Sequence, residues 1–154
     1  MNIARTKPHS PADLIQQGQP LTIARVADGA EGLVLADLAR AIAARPNAPA
    51  INLLVVCRDG SRMAQLARAL AFFAPDIGVL EFPAWDCQPY DRASPHAGLM
   101  AQRMTTLSRL AHLKAAAPQS RPSVLLATVN AVVQRVPARA LVAQQGLSDR
   151  KSVV

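Results

Sequence analysis

Three short apolar runs most constrain what this chain can fold into: Ile51–Cys57 (INLLVVC), Ile77–Phe82 (IGVLEF) and Ser123–Val129 (SVLLATV). Each is only as long as a strand, and Ile51–Cys57 is a continuous run rich in β-branched residues. Such a run predicts a strand of a parallel sheet buried on both faces, with Ile77–Phe82 a second short strand and Ser123–Val129 a third, buried one. Helical patterns separate them. Leu33, Val34, Leu38 and Ile42 recur at helical spacing up to the Arg45-Pro46 stop. Met63, Leu66, Leu70 and Phe73 form a stripe that Pro75 ends, after Arg58-Asp59-Gly60-Ser61, a turn with good N-cap candidates. Met100, Met104, Leu107, Leu110 and Leu113 mark a longer helix, with Ser94 as its expected N-cap and Pro95 at its first position. A further helix starts at Thr128 or Asn130, Pro137 ends or kinks it, and one more is expected over Ala138–Gly146. Alternation of strand and helix predicts an α/β fold, a parallel sheet with flanking helices joined by right-handed crossovers.

The chain has 154 residues, enough for one domain with a core. The first twenty contain Pro8, Pro11 and Pro20 among polar residues and read as a mobile arm, with one short helix over Pro11–Gln17. The α/β domain is expected over residues 21–148. The N-terminus shows no apolar stretch of the signal-peptide kind, and no apolar run is long enough to span a bilayer. Cys57 and Cys87 lack metal-ligand spacing; Cys57 reads as a small buried hydrophobe. A reducing, cytoplasmic setting without membrane contact is expected, and no metal site.

A net charge of +7, spread over arginines rather than packed in a block, is compatible with nucleic acid, a solvated surface or an acidic neighbour. Gly29 opens a stretch that can be set against the phosphate-loop pattern G-x-x-x-x-G-K-[ST]. Val34 falls at the second glycine, Leu35 at the lysine and Ala36 at the hydroxyl. Leu35 cannot balance a triphosphate and Ala36 cannot hold Mg²⁺, so at most the shell of a nucleotide site is expected, without ATP binding.

Cys87 with His96 could be set up as nucleophile and base, but no third group orients them. Asp86 and Asp91, in a proline-rich turn, are expected to accept backbone N–H bonds or to pair with Arg92. No catalytic residue is assigned. All five aromatics, Phe72, Phe73, Phe82, Trp85 and Tyr90, lie in one window, and Pro83, Pro89 and Pro95 fix the backbone around them. Two readings stay open for residues 82–96: rings that pin an irregular loop onto the sheet, or an exposed surface for bases or a protein partner. A buried Trp85 ring predicts a cost of roughly 3–5 kcal/mol for Trp85→Ala.

The residues Phe82–His96 (FPAWDCQPYDRASPH), then QRMTTLSRLAHL, then SVLLATVNAVVQRVPARALV closely resemble the N-terminal region of bacterial transcription-repair coupling factors. The family signature W-(acidic)-x-x-P-Y-D-x-x-S-P-H falls on Trp85, Asp86, Pro89, Tyr90, Asp91, Ser94, Pro95 and His96, next to Phe82 and Pro83. Its R-x-x-x-L falls on Arg103 and Leu107, and its V-N-x-x-x-Q-R on Val129, Asn130, Gln134 and Arg135. Cys87 and Gln88 stand where some members carry other residues. The resemblance runs from about Gly18 to Leu147. It implies a degenerate P-loop-NTPase-like (RecA-like) domain similar to the first domain of the damage-verifying helicase of nucleotide excision repair, with its ATP site eroded and a structural role for the signature. It further implies a parent protein that displaces stalled RNA polymerase, recruits excision repair through the excinuclease A protein, and moves on double-stranded DNA with a downstream motor that uses ATP and Mg²⁺. None of the motor's motifs stands in this chain, so no cofactor is expected here and partners are expected to be proteins. The alternatives are a stand-alone basic nucleic-acid-binding module and a small enzyme built on Cys87 or the aspartates. The domain is expected to stop short of the segments that follow it in the family. Asp149–Val154 match a reading frame of a common sequencing adaptor and are expected to be a non-native tail; reading the source gene past Ser148 checks this.

Overall fold

The computed structural model describes residues 19–27, 29–87, 94–113 and 121–145. The expected arm helix and the terminal tail lie outside them. Among these described residues the elements run in the order α1 (Glu31–Ala43), β1 (Leu53–Cys57), α2 (Gly60–Phe73), β2 (Gly78–Phe82), α3 (Ala97–His112), β3 (Ser123–Thr128), α4 (Val129–Val133) and α5 (Arg139–Gln145). The three apolar runs form a three-stranded parallel sheet in the order β1-β3-β2. Val124 of β3 lies level with Leu53 on one side and Val79 on the other; Ala127 lies level with Val56 and Phe82.

The central strand alternates between two cores. Val124 and Leu126 pack with Ala36 and Ala39 of α1 and Met63, Leu66 and Leu70 of α2. Leu125 and Ala127 face the other way, with Phe82, Ala131 and Leu107 of α3. Thus α2 carries the chain from β1 past β3 to β2 on one face, and α3 returns it to β3 on the other. Opposite faces are what an outward and a returning crossover need to share one hand.

Helix starts follow from local chemistry. Asp59 caps α2, its Oδ1 accepting the Arg62 N–H at 2.8 Å. Thr128 caps α4 through Oγ1, accepting the Ala131 N–H at 3.2 Å. Gly32 lets α1 approach α2: a Cβ there would lie 2.9 Å from the Ala69 Cβ. At the start of the sheet, buried Asn52 accepts the Ser123 N–H at 2.7 Å and donates to the Pro49 carbonyl at 3.0 Å. Ser123 Oγ completes this polar clasp on the Ala50 carbonyl at 2.7 Å.

Four expectations need correction. β1 is not buried on both faces: Leu54 and Val56 are 55% and 48% exposed. Among the described residues it is an edge strand; α3 packs on β2, and α4, although it touches β1, leaves these two side chains largely exposed. Phe73 is 45% exposed because α2 ends there, leaving Leu70 and the following Ala74 and Ile77 to fill the core. On α3 the buried side chains are Arg103 and Thr106, while Met100 and Met104 are exposed. Hydrogen bonds from both buried residues to the β2 side turn that face inward, so that Leu107 still meets the sheet while Met100 and Met104 point away from it. The α3 cap is His96 rather than Ser94: its Nδ1 accepts the Gly98 N–H at 3.2 Å. Glycine at 98 makes room, since a Cβ there would lie 3.3 Å from the His96 ring.

Candidate functional site

β2 ends in Phe82, which is buried, and the chain leaves the sheet through buried Pro83. Arg103, 1% exposed, projects from α3 into this exit. Its guanidinium carbon lies 4.2 Å from the Phe82 ring centroid and 4.3 Å from that of Trp85, between the two rings. Nη1 donates to the Pro83 carbonyl at 2.5 Å and to Gln134 Oε1 at 3.2 Å. Gln134 Oε1 also accepts the Trp85 N–H at 3.1 Å. Thr106, one helical turn on, donates to the Glu81 carbonyl at 2.6 Å. A single side-chain amide thus holds the loop backbone and the buried cation together.

No carboxylate pairs with Arg103 among the described residues, and its Nε is buried without a partner. Burial pushes its pKa down from the ordinary arginine value. A guanidinium starts so high that it keeps its proton. The negative faces of two rings and two oxygens therefore take the place of a counter-ion.

Beyond Trp85, Asp86 closes the base of the loop. Both of its oxygens lie 3.3 Å from the His96 N–H, so Asp86 does accept a backbone bond. Ser94 is exposed and Pro95 half-buried. Pro89, Tyr90 and Asp91 lie outside the described residues. Thus Phe82, Pro83, Trp85, Arg103 and Gln134 meet in one cluster, and Asp86 and His96 brace its exit. Asn130 and Arg135 are exposed. Trp85 is half-buried against Arg103, while Tyr90, the other ring on which the two readings of the aromatic segment turn, lies outside the described residues.

The Gly29 region has a different geometry. Gly29 takes a positive φ of 85° and donates its N–H to Glu31 Oε2 at 3.0 Å. Glu31, at the first position of α1, also accepts from Arg62 Nη2 at 2.6 Å. That bond, more than any other contact, holds the Glu31 carboxyl below its ordinary pKa. The positive end of the helix therefore faces a carboxylate of the chain itself. Leu35 and Ala36 lie more than a turn further in. Ala36 is fully buried in the core and Leu35 packs against it.

A cleft of about 510 Å³ opens at the C-terminal end of β1, bordered by Arg58, Asp59, Ser61, Arg62 and Gln65. This edge of a parallel sheet is where α/β folds place ligands. Here Arg58 donates to Asp59 at 2.9 Å and Arg62 to Glu31, so the two nearest cations are engaged within the chain. Cys57, at its floor, is 3% exposed, and burial pushes its thiol pKa up, which suits packing rather than nucleophilic work. No hydrogen bond joins Cys87 to His96, and no group of three metal-ligating side chains comes together among the described residues. No described helix is long and apolar enough to cross a membrane.

Sequence reasoning takes Arg103 only as a signature position and misses Asn52, Gly32 and Thr106. The usable signal for Arg103 is its place on the helix, four residues before Leu107 and three before Thr106, so that it shares a face with a leucine of the core.

The chain is similar to a transcription-repair-coupling factor. It is 32% identical over 59 residues to that protein of Rickettsia bellii (strain RML369-C), covering 38% of this chain and 5% of the relative. The match thus spans a small part of that coupling factor's length. No family model and no solved structure matches the chain.

Proposed function

We propose that the chain is a non-catalytic domain from the N-terminal region of a transcription-repair coupling factor, acting through protein contacts. The observation that carries this reading is the 32% identity over 59 residues to a coupling factor. It is supported by the signature residues Phe82, Pro83, Trp85, Arg103 and Gln134, which are spent on one another in a closed cluster and leave no reactive group exposed. The domain is a degenerate relative of P-loop NTPases, in which Glu31 occupies the helix start and Leu35 and Ala36 pack the core. In the parent, ATP and Mg²⁺ drive a double-stranded DNA translocase elsewhere in the chain, RNA polymerase is the displaced machine, and the excinuclease A protein is the recruited partner.

The test pairs two measurements on the purified chain. Labelled ATP with Mg²⁺ is titrated and followed by fluorescence anisotropy, and purified excinuclease A protein and RNA polymerase are passed over the immobilised chain. Absence of ATP binding with saturable capture of one of the two proteins is expected. Saturable ATP binding overturns the degenerate-site reading. Salt-sensitive binding to DNA without protein capture assigns the chain to the nucleic-acid-binding alternative instead.

A further inference from the structure

A second cleft, of about 330 Å³, lies at the N-terminal edge of the sheet, away from the aromatic cluster. Its walls are Ile51 before β1, Gly78 and Leu80 of β2, and Leu113 at the end of α3. Two arginines stand at it, Arg109 on the last turn of α3 and Arg121 before β3. Arg121 reaches the cleft because position 78 has no side chain: a Cβ on Gly78 would lie 3.3 Å from Arg121 Nε. His112 borders the same space, its Nδ1 2.7 Å from the Ser108 carbonyl.

Among the described residues, none that lines the cleft is acidic. Neither Arg109 nor Arg121 takes part in an ion pair with a described residue. This sets the place apart from the β1 cleft, where Arg58 and Arg62 both have carboxylate partners. Half-buried aliphatic walls would take a hydrocarbon body, and the two arginines would take an anionic head. The volume is at the lower end of small-molecule pockets, about 300–1,000 Å³.

We propose that this cleft binds a small aliphatic carboxylate, its chain against Ile51, Leu80 and Leu113 and its head on Arg109 and Arg121. Planar guanidinium groups match a carboxylate in two-bond geometry, which a neutral alcohol head cannot exploit. The proposal is independent of the coupling-factor reading.

The probe is octanoate, titrated into the full ¹⁵N-labelled chain and followed by NMR, with octanol and octylamine as the neutral and cationic counterparts. Saturating shifts are expected at Gly78, Leu80 and Leu113 with octanoate, weaker ones with octanol and none with octylamine. Arg109→Gln and Arg121→Gln sit on exposed side chains and should leave the Trp85 indole signal in place. Each should weaken octanoate by about tenfold, the worth of one charge-assisted hydrogen bond. Absence of saturation, equal binding of octanol, or shifts at Leu54 and Val56 instead would overturn the proposal. So would binding of a Glu- and Leu-rich peptide where octanoate fails, which would make the cleft a protein contact.

Discussion

Arg103 and Gln134, thirty-one residues apart, meet at 3.2 Å on one amide oxygen that also receives the Trp85 N–H. The amide therefore binds α3, the exit of β2 and the end of α4 into a single polar knot. Arg103→Ala removes the cation from between two rings and strands the Pro83 carbonyl; a loss of about 3 kcal/mol is expected. Arg103→Lys should recover little, because an ammonium cannot fill the slot between the rings. A double-mutant cycle of Arg103 and Gln134 by urea unfolding should return a coupling of about 1 kcal/mol or more. Strict additivity would mean that the two side chains do not act together.

Trp85 is half-buried rather than fully buried, so the cost of its removal falls below what full burial predicts. Trp85→Ala is expected to destabilise by about 2 kcal/mol, made up of partial apolar burial and the contact with Arg103. Thermal unfolding followed by circular dichroism measures it. A loss below about 0.5 kcal/mol would show that the ring only decorates the loop.

Asn52 clasps β1 to β3 where both strands begin. Asn52→Ala leaves the buried Ser123 N–H without its 2.7 Å acceptor and should cost about 1–3 kcal/mol. Hydrogen exchange at the Ser123 amide is the direct readout: strong protection in the wild type and fast exchange in the variant.

Gly32→Ala would stabilise an isolated helix by about 1 kcal/mol. In this fold it should destabilise, since the new Cβ would sit 2.9 Å from the Ala69 Cβ. Gly32→Ala combined with Ala69→Gly should recover part of the loss. A stabilised single variant would show that α1 and α2 slide apart at little cost.

Acid should weaken the fold through three carboxylates. Glu31 is held below its ordinary pKa by Arg62, Asp76 by Arg40, and Asp59 by the backbone N–H of Arg62 and then by Arg58. A carboxyl whose pKa is lower folded than unfolded contributes its full stability above the unfolded value. That contribution fades as pH falls through the folded value, so stability should decline below about pH 4. Asp76→Asn should flatten this decline, as it removes a carboxylate that meets Arg40 at 2.6 and 2.9 Å. An unchanged acid limb would show that the pair does not contribute.

The three strands and the flanking helices were legible because continuous apolar runs and helical spacing report burial directly. Asp59 and Thr128 were readable as caps, and the loop signature pointed to the right exit from the sheet. The burial of α3 was not legible. A buried arginine reads in sequence as a solvent residue, and only the ring pair supplied from Phe82 and Trp85 makes it inward-facing. His96 as a cap was hidden for a similar reason: a histidine caps only when a glycine two residues on clears space for its ring. The exposure of Leu54 and Val56 was invisible because an apolar run does not reveal whether a helix crosses its second face. Gln134 showed as a motif position, but its role depends on a contact thirty-one residues away.

The strand order has a consequence in time. Among the described residues β1 and β2 do not pair with each other; each pairs with β3, the last of the three in the sequence. During synthesis, seventy residues separate Val55 from its partner Leu126, so no rung of the sheet can form until the chain has nearly reached α4. Until then the two early strands can be held only by their helices, with every sheet hydrogen bond still to be made. Such non-local pairing slows folding and lengthens the interval in which unpaired strands are open to chaperones or to one another. Arrival of β3 closes both sides of the sheet in one event, which makes the last third of this domain the switch for its folding.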